Sequence, residues 1–335
     1  MKAVLFDGKE LIIKDIETPK IDDNQALIEI KTAGICGTDL AILRGDLTTP
    51  IPIVLGHEFA GVVIELGKKV NRKWLGKRVT SEINANIDFN CYFCQQNLFT
   101  QCISRKAIGI DIDGAFANYI AVDSYLLHEI PADISFKEAS FIEPLAAAYQ
   151  TFETMPIGDD DKTIAIFGAG KLGLLIIQVA ILNGLEVIAI DGSNKKLELA
   201  KKFGAKFLIN RLKNNDIPNQ IKKFTDDLGA DITLDATGNP NAISNVIASC
   251  RTRGKIHVKS THGLGTKLNL TDMVVRELTL YTSRCGPFDK AIEGLKSGKI
   301  KVNELISKEF PLEKFSEAFN SYQRSRDHIK TVFII

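Results

Sequence analysis

Two textures follow one another along the chain. As far as about Glu143, short β-like runs alternate with turns marked by Gly and Pro, and Ala26–Lys31, Gly61–Leu66 and Lys77–Ser81 read as strands of a β-rich barrel or sandwich. The opening residues Met1–Asp7 also read as a strand. From Pro144 the pattern changes. Ile164–Phe167 predicts a buried strand and Leu172–Leu182 an apolar helix ending at Gly184. Glu186–Ile190 predicts the next strand, and Lys196–Phe203 the next helix, with Gly204 at its C′ position. Ile232–Ala236, Lys255–Lys259 and Leu278–Thr282 supply further strands, the last one closing its sheet. Strands alternating with helices imply right-handed crossovers and a parallel sheet. Beyond Arg284, Phe288–Ser297 predicts a helix and Thr331–Ile335 a final strand. The chain has no internal repeat and no low-complexity tract.

The strand Thr163–Phe167 runs into Gly168-Ala169-Gly170-Lys171-Leu172-Gly173 and then into the helix. This is G-x-G-x-x-G in a strand–turn–helix context. Gly168 permits the tight turn, Gly170 lets a pyrophosphate approach the backbone, and Gly173 packs helix on sheet. The helix N-terminus then stabilises the phosphate charge. Asp191 ends the following strand, where a carboxylate accepts bonds from ribose hydroxyls and repels a 2′-phosphate, so NAD is favoured over NADP. Lys195 and Lys196 lie close enough to complicate that preference, although they also suit a solvated helix start. The bland alternative is a glycine-rich turn beside a surface aspartate.

Composition narrows the partners. The 335 residues are 45% hydrophobic and 25% charged with a net charge of +1, ordinary values for two globular domains. Near-neutrality gives no reason to expect nucleic acid or an anionic membrane. Apolar runs such as Leu174–Ile181 are too short to span a bilayer, and Met1–Asp7 lacks the features of a signal peptide, so a cytoplasmic location is expected. Of six cysteines, Cys91, Cys94 and Cys102 fall within twelve residues, which points to metal rather than to disulfides. Cys250 and Cys285 lack metal-ligand neighbours and read as packing residues.

Cys36-Gly37-Thr38-Asp39, Gly56-His57-Glu58 and Glu143-Pro144-Leu145 all lie in or at the end of the β-rich part. A lone buried Cys or His is usually structural. A thiolate, an imidazole and carboxylates at turn-marked positions, however, are what a three-ligand zinc site with an open fourth position needs. Pro144 suits the first position of a helix, which leaves Glu143 at the helix mouth.

These residues carry a resemblance. Gly56-His57-Glu58-x-x-Gly61, followed by Gly67 and Val70, resembles the zinc signature of the medium-chain alcohol dehydrogenase family. The likeness extends over essentially the whole chain through Gly34-Ile35-Cys36-Gly37-Thr38-Asp39, the glycine loop, Asp235-Ala236-Thr237-Gly238 and Lys330-Thr331-Val332. It implies an α/β fold: a Rossmann doubly wound parallel sheet over 145–285, and a GroES-like β-rich catalytic domain made of 1–144 and 286–335, with the active site in the cleft between them. Catalytic zinc is expected on Cys36, His57 and Glu143, as in the polyol and sugar branch, with Glu58 beside the metal or binding it transiently. Thr38 takes the place of the hydroxyl that relays the alcohol proton, and Lys330 that of a basic residue near the cofactor pyrophosphate. The family's structural-zinc lobe has four cysteines, the last three placed three, six and fourteen residues after the first. Cys91, Cys94 and Cys102 match these, with Asp88 in the first place. Carboxylate is an acceptable zinc ligand, so a second zinc is expected there, an emptied site being the alternative.

The implied activity is nicotinamide-linked oxidation of a small polar secondary alcohol, polyol or sugar by a homodimer or homotetramer. The segments Val258-Lys259-Ser260-Thr261-His262 and Arg284-Cys285-Gly286-Pro287-Phe288 do not resemble those of the best-known members, so no substrate is named. Two other readings stay open: a non-catalytic nucleotide-binding sensor, and a zinc-free carbonyl reductase.

Overall fold

The strand Gln25–Gly34 carries the first half of the molecule. In the computed structural model, which describes residues 1–335 apart from the side chain of Gln323, this strand pairs antiparallel with Glu58–Leu66, with Tyr119–Asp123 and with the closing strand Lys330–Ile334. Its sequence QALIEIKTAG is almost entirely buried, which explains its lack of a clean in–out alternation. Ile306–Pro311 adds to the closing strand in parallel, and the sheet has seven strands in all. A three-stranded sheet of Leu11–Asp15, Lys2–Phe6 and Ile53–Val54 accompanies it. The core is built from Ile28, Ile30, Phe59, Phe116 and Phe333, with Phe116 and Phe333 edge to face at 5.2 Å.

Backbone proximity divides the chain into two units. One is Met1–Ala146 with Pro287–Arg324 and Lys330–Ile335; the other is Ala147–Gly286 with Ser325–Ile329. The second contains a six-stranded, wholly parallel sheet. Its strands lie in the order Phe207–Asn210, Glu186–Asp191, Thr163–Phe167, Ala230–Asp235, Cys250–Val258, Thr279–Thr282. Numbered along the chain this is 3-2-1-4-5-6, so the winding reverses between the first strand and the fourth. Ile164, Ile166, Val187, Ile188, Ile190 and Leu234 are all buried, as the near-continuous apolar runs require.

The structure departs from the sequence expectations in several places. The helix bearing Glu143 spans Ile142–Thr154, so Glu143 lies in its first turn and Pro144 one residue deeper, rather than at the mouth and first position. Pro144 is tolerated there because first-turn N–H groups have no acceptor within the helix. Phe207–Asn210 is a strand that the pattern did not predict, being short, half-exposed and at a sheet edge. The helices Ile217–Lys222 and Ile243–Ser249 are likewise additional, and the strand expected from Lys255 begins at Cys250.

Asp231 fastens the lower end of the parallel sheet. Its Oδ2 accepts hydrogen bonds from the N–H groups of Lys162 and Thr163 (3.0 and 2.8 Å) and from Thr163 Oγ1 (2.7 Å), while Oδ1 accepts from Arg251 Nε at 2.5 Å. Burial raises the carboxyl's pKa, but Arg251 and these donors outweigh that and hold it below its ordinary 3.8. A depressed folded-state pKa contributes stability above the ordinary value, and that contribution is lost as pH falls through the depressed one. Asp231→Asn should therefore cost about 2 kcal/mol near neutral pH, by loss of hydrogen bonds to a charged acceptor. Urea unfolding should show the gap from the parent closing as the pH is taken below 3.8.

Candidate metal and dinucleotide sites

After Gly34 the hub strand turns sharply into the helix Gly37–Leu43, and Cys36 is the residue at the turn. The Cys36 N–H donates to Asp39 Oδ2 at 2.7 Å, which fixes the thiol at the helix N-terminus. Asp39 is wholly buried, and its other oxygen lies 3.8 Å from His57 Nδ1. One carboxylate thus fixes the turn that carries the thiol and stands within ion-pair range of the imidazole.

His57 is held from the other side by glycines. Gly56 has φ +97°, and the backbone of Gly109 and Gly114 presses against it: a Cβ on Gly114 would stand 2.2 Å from Gly56 O. Ala115 N–H donates to the same carbonyl at 2.8 Å. The Cys36 sulfur, a His57 ring nitrogen and a Glu58 carboxylate oxygen come within 4.8 Å of one another. Thr38 Oγ1 is 3.7 Å from Cys36 Sγ. Glu143 is outside that tight trio but near enough to act on His57 electrostatically. Lys330 is fully buried in this unit, with its ammonium on Glu58 and over the Phe141 ring at 5.5 Å.

Charge decides what the pocket accepts. Burial alone would lower the pKa of His57, but Cys36, Asp39 and Glu143 outweigh it and raise the pKa to about 9. Burial lowers that of Lys330 to about 8 against the pull of Cys36 and Asp39. Cys36, Asp39, Glu58 and Glu143 are four acidic groups around two bases, His57 and Lys330. Such an excess is costly out of water unless a further positive charge enters. A divalent cation on S, N and O donors, with a carboxylate behind the imidazole, satisfies it, so the residues fit zinc.

A second group of metal-ligand type is formed by Asp88, Cys91, Cys94 and Cys102, also within 4.8 Å of one another. Cys91 Sγ is 3.6 Å from Cys94 Sγ, and Cys102 Sγ is 3.2 Å from Asp88 Oδ2. Asp88 Oδ1 accepts from the N–H groups of Asn90 and Cys91, each at 2.8 Å, and Oδ2 from Ser104 Oγ at 2.9 Å. The two N–H groups, then Cys102 and Ser104, hold this carboxyl far below its ordinary range. Burial pushes the Cys94 thiol up to about 12, and a bound cation is what returns such a thiol to thiolate. Only Ile87, Cys94 and Cys102 form the buried cluster of this lobe.

In the other unit the glycine loop is shaped for a phosphate. A Cβ on Gly173 would lie 1.8 Å from Gly168 O and one on Gly168 2.7 Å from Ala236 O, whereas Gly170 faces open space within 4 Å. That gap is a cradle into which a side chain would intrude, and the helix Lys171–Leu182 begins directly behind it with Lys171 and Leu172. Asp191 Oδ2 accepts from Ala169 N–H and Oδ1 from Ser193 N–H, both at 2.8 Å. These bonds leave lone pairs for a sugar hydroxyl. The residues fit a dinucleotide.

Sequence reasoning did not assign roles to Asp39, to Gly109 and Gly114, or to Arg211. Asp39 was signalled by its three-residue offset from a helix-capping position. Arg211 had no local signal; it is drawn beside Asp191 by the unexpected edge strand, its Nε lying 3.4 Å from where a Cβ on Gly192 would be.

Comparison with known proteins agrees with this geometry. The family model described as Alcohol dehydrogenase GroES-like domain matches residues 22–132, and that described as Zinc-binding dehydrogenase matches 172–297. A D-arabitol-phosphate dehydrogenase of Enterococcus avium is 32% identical over 93% of this chain and 91% of its own. The solved galactitol-1-phosphate dehydrogenase of Escherichia coli superposes with a TM-score of 0.91 at 26% identity, covering all of both chains. A zinc-binding dehydrogenase of Sinorhizobium meliloti, solved with NADP, also gives 0.91 at 26%, over 100% of this chain and 99% of that one. The chain belongs to the zinc-dependent medium-chain dehydrogenase family, with its GroES-like and Rossmann parts. It is an oxidoreductase of the alcohol dehydrogenase class, which works with zinc and a nicotinamide cofactor.

The glycine contact at Gly56 yields a test. Gly114→Ala forces backbone apart 2.2 Å from Gly56 O, next to His57. We expect a lower melting temperature and a zinc content well below that of the parent, measured by calorimetry and atomic emission on protein prepared without added metal.

Proposed function

We propose that the chain oxidises a secondary hydroxyl of a polyol, or of a polyol phosphate, with NAD as acceptor. The observation that carries this reading is the convergence of Cys36, His57 and Glu58 around buried acidic charge, with Glu143 close by. Glutamate stands where the alcohol dehydrogenases have a third cysteine, and the two relatives named for phosphorylated polyols favour polyhydric substrates. Cys36, His57 and Glu143 would hold the zinc, which would supply the Lewis acidity that eases loss of the alcohol proton. Thr38 accepts that proton and passes it outward, while the carbinol hydrogen leaves as hydride for the nicotinamide ring. Glu58, tied to Lys330, stands beside the ligands. We take the catalytic part as 1–144 with 286–335 and the cofactor part as 145–285.

Asp191 supports NAD by repelling a 2′-phosphate, and Arg211 opposes it by offering that phosphate a cation. Both carboxylate oxygens of Asp191 are engaged by loop N–H groups, which keeps the acid in place against the ribose, so the preference goes to NAD. A second zinc on Asp88, Cys91, Cys94 and Cys102 fixes the exposed lobe.

A homodimer is the assembly that the sheet edge supports, a homotetramer being two such pairs. Thr279–Thr282 is the open edge, and the preceding helix Leu270–Val275 exposes Val274 and Val275, each at 74%. An unpaired edge flanked by exposed valines is costly in water unless a second copy covers it.

Two measurements check these readings. His57→Ala should lose catalytic zinc and reduce turnover of a panel of polyols and polyol phosphates, followed by absorbance of the reduced cofactor, to background. Calorimetric binding of NAD should change little; full turnover by metal-free His57→Ala would end the zinc reading and favour a zinc-free reductase. Val274→Glu should shift the mass seen by light scattering at micromolar concentration towards the monomer, and a parent that is already monomeric would refute the assembly.

A further inference from the structure

Near its end the chain makes a short excursion into the nucleotide unit. Ser325–Ile329 belongs to that unit, whereas Arg324 and Lys330 on either side belong to the other. His328 and Ile329 are buried, and Asp327 just before them is exposed. The turn is fixed locally: Ser325 Oγ accepts from the Asp327 N–H at 3.2 Å, and Ser325 O from the His328 N–H at 3.1 Å. What the excursion delivers is one carboxylate. Asp327 Oδ1 accepts from Ser193 Oγ at 2.5 Å.

Ser193 is also the residue that Asp191 holds. Its N–H donates to Asp191 Oδ1 at 2.8 Å, and its hydroxyl oxygen accepts from the Lys196 N–H at 3.2 Å, capping the helix Asn194–Lys202. Both carboxylates thus bond to one residue, which keeps them within roughly 9 Å of each other. That is inside the screening length of ordinary buffers. The Lys196 side chain, half-buried, feels both acids: burial lowers its pKa, against the pull of Asp191 and Asp327. Arg211 brings a second cation, with its N–H on Asp191 O at 3.0 Å.

Two cations beside one acid would suit the 2′-phosphate of NADP better than the hydroxyl of NAD. A second acid reverses that balance. We propose that Asp327 is a specificity-determining residue for the cofactor: it offsets Lys196 and sets a second negative charge beside Asp191, so the adenosine site takes a 2′-hydroxyl and refuses a 2′-phosphate. The inference deepens the NAD reading above and rests on it. The acid at the strand end, Asp191, marks where the ribose hydroxyls lie. A phosphate monoester there carries nearly two negative charges at neutral pH. One additional carboxylate at this range therefore changes its binding constant by about tenfold. The ribose hydroxyl is neutral and feels little of that charge.

The test compares two cofactors. Dissociation constants of NAD⁺ and NADP⁺ are measured by calorimetry on the zinc-loaded protein at low ionic strength. Asp327→Asn keeps an acceptor for Ser193 Oγ and removes only the charge. It should lower the ratio of NADP⁺ to NAD⁺ dissociation constants by about tenfold. Asp327→Ser, uncharged and smaller, carries the same test where the Asn variant fails to fold. Asp327→Glu, which keeps the charge, should keep the parent ratio. A merely structural residue would weaken both cofactors together, so a ratio within about twofold of the parent in the uncharged variants overturns the proposal. The parent itself separates the two readings. A parent that binds NADP⁺ more tightly than NAD⁺ overturns the NAD reading, and this inference falls with it. A parent that prefers NAD⁺, with the ratio unmoved in Asp327→Asn, overturns the inference alone.

Discussion

Asp39 is the carboxylate on which the catalytic part depends. Wholly buried, it has one oxygen on the Cys36 N–H and the other 3.8 Å from His57 Nδ1, so one acid reaches two side chains from distant positions. An ionised carboxylate in that position is tolerable only with donors and positive charge around it. The same requirement extends outward: Glu58 lies on Lys330, and Cys36 and Glu143 add to the negative field that draws a proton onto His57. The site is thus built to hold more positive charge than its side chains carry. Affinity for a divalent cation follows from that deficit, and the close-packed Gly56, Gly109 and Gly114 keep the imidazole where the deficit is largest.

Carboxylates serve the nucleotide part through a different economy. Asp231 at one end of the sheet and Asp191 at the other each accept two backbone N–H groups. Loops at strand ends have amides without ladder partners, and an acid that accepts them fixes the loop while keeping lone pairs to spare. At Asp231 the spare capacity goes to Arg251, and the result is stability alone. At Asp191 the two bonds tie the glycine loop to the end of the next strand and leave lone pairs open.

How much of this was legible in the sequence depended on the range of the interaction. The β-rich start, the parallel sheet and the glycine loop were readable because their signals are periodic or contiguous. The family resemblance put Cys36, His57 and Glu143 together with Glu58 beside them, whereas the structure gathers Cys36, His57 and Glu58 most tightly and leaves Glu143 outside. Cys91, Cys94 and Cys102 were nameable from their spacing and Asp88 from the resemblance, and these four lie together. Helix boundaries slipped at Pro144, since proline is compatible with any position of the first turn. Phe207–Asn210 escaped because a short edge strand needs no buried alternation, and Arg211 escaped with it. Lys330, expected beside a pyrophosphate, lies with its ammonium on Glu58, a contact between residues 272 apart in sequence that no local pattern encodes.

The Asp88 lobe has almost no core of its own, and a bound metal would stand in for one. Phe89, Tyr92, Leu98, Phe99 and Ile103 are exposed there, and burial is confined to Ile87, Cys94 and Cys102. Three residues cannot offset the conformational entropy of ordering a loop of this length. The loop nevertheless has defined turns, with left-handed Phe89 and Asn97 and a carboxylate already locked by two amides. Locking Asp88 in advance lowers the entropy still to be lost when a cation binds, which offsets the weaker donation of a carboxylate relative to a fourth thiolate. A zinc complex with three thiolates and one carboxylate would be two units negative, as one with four thiolates is, and the two N–H donors on the carboxylate would spread part of that charge. Replacing cysteine with aspartate at this position therefore exchanges ligand strength for preorganisation, and the two N–H bonds to Oδ1 are the feature that makes the exchange workable.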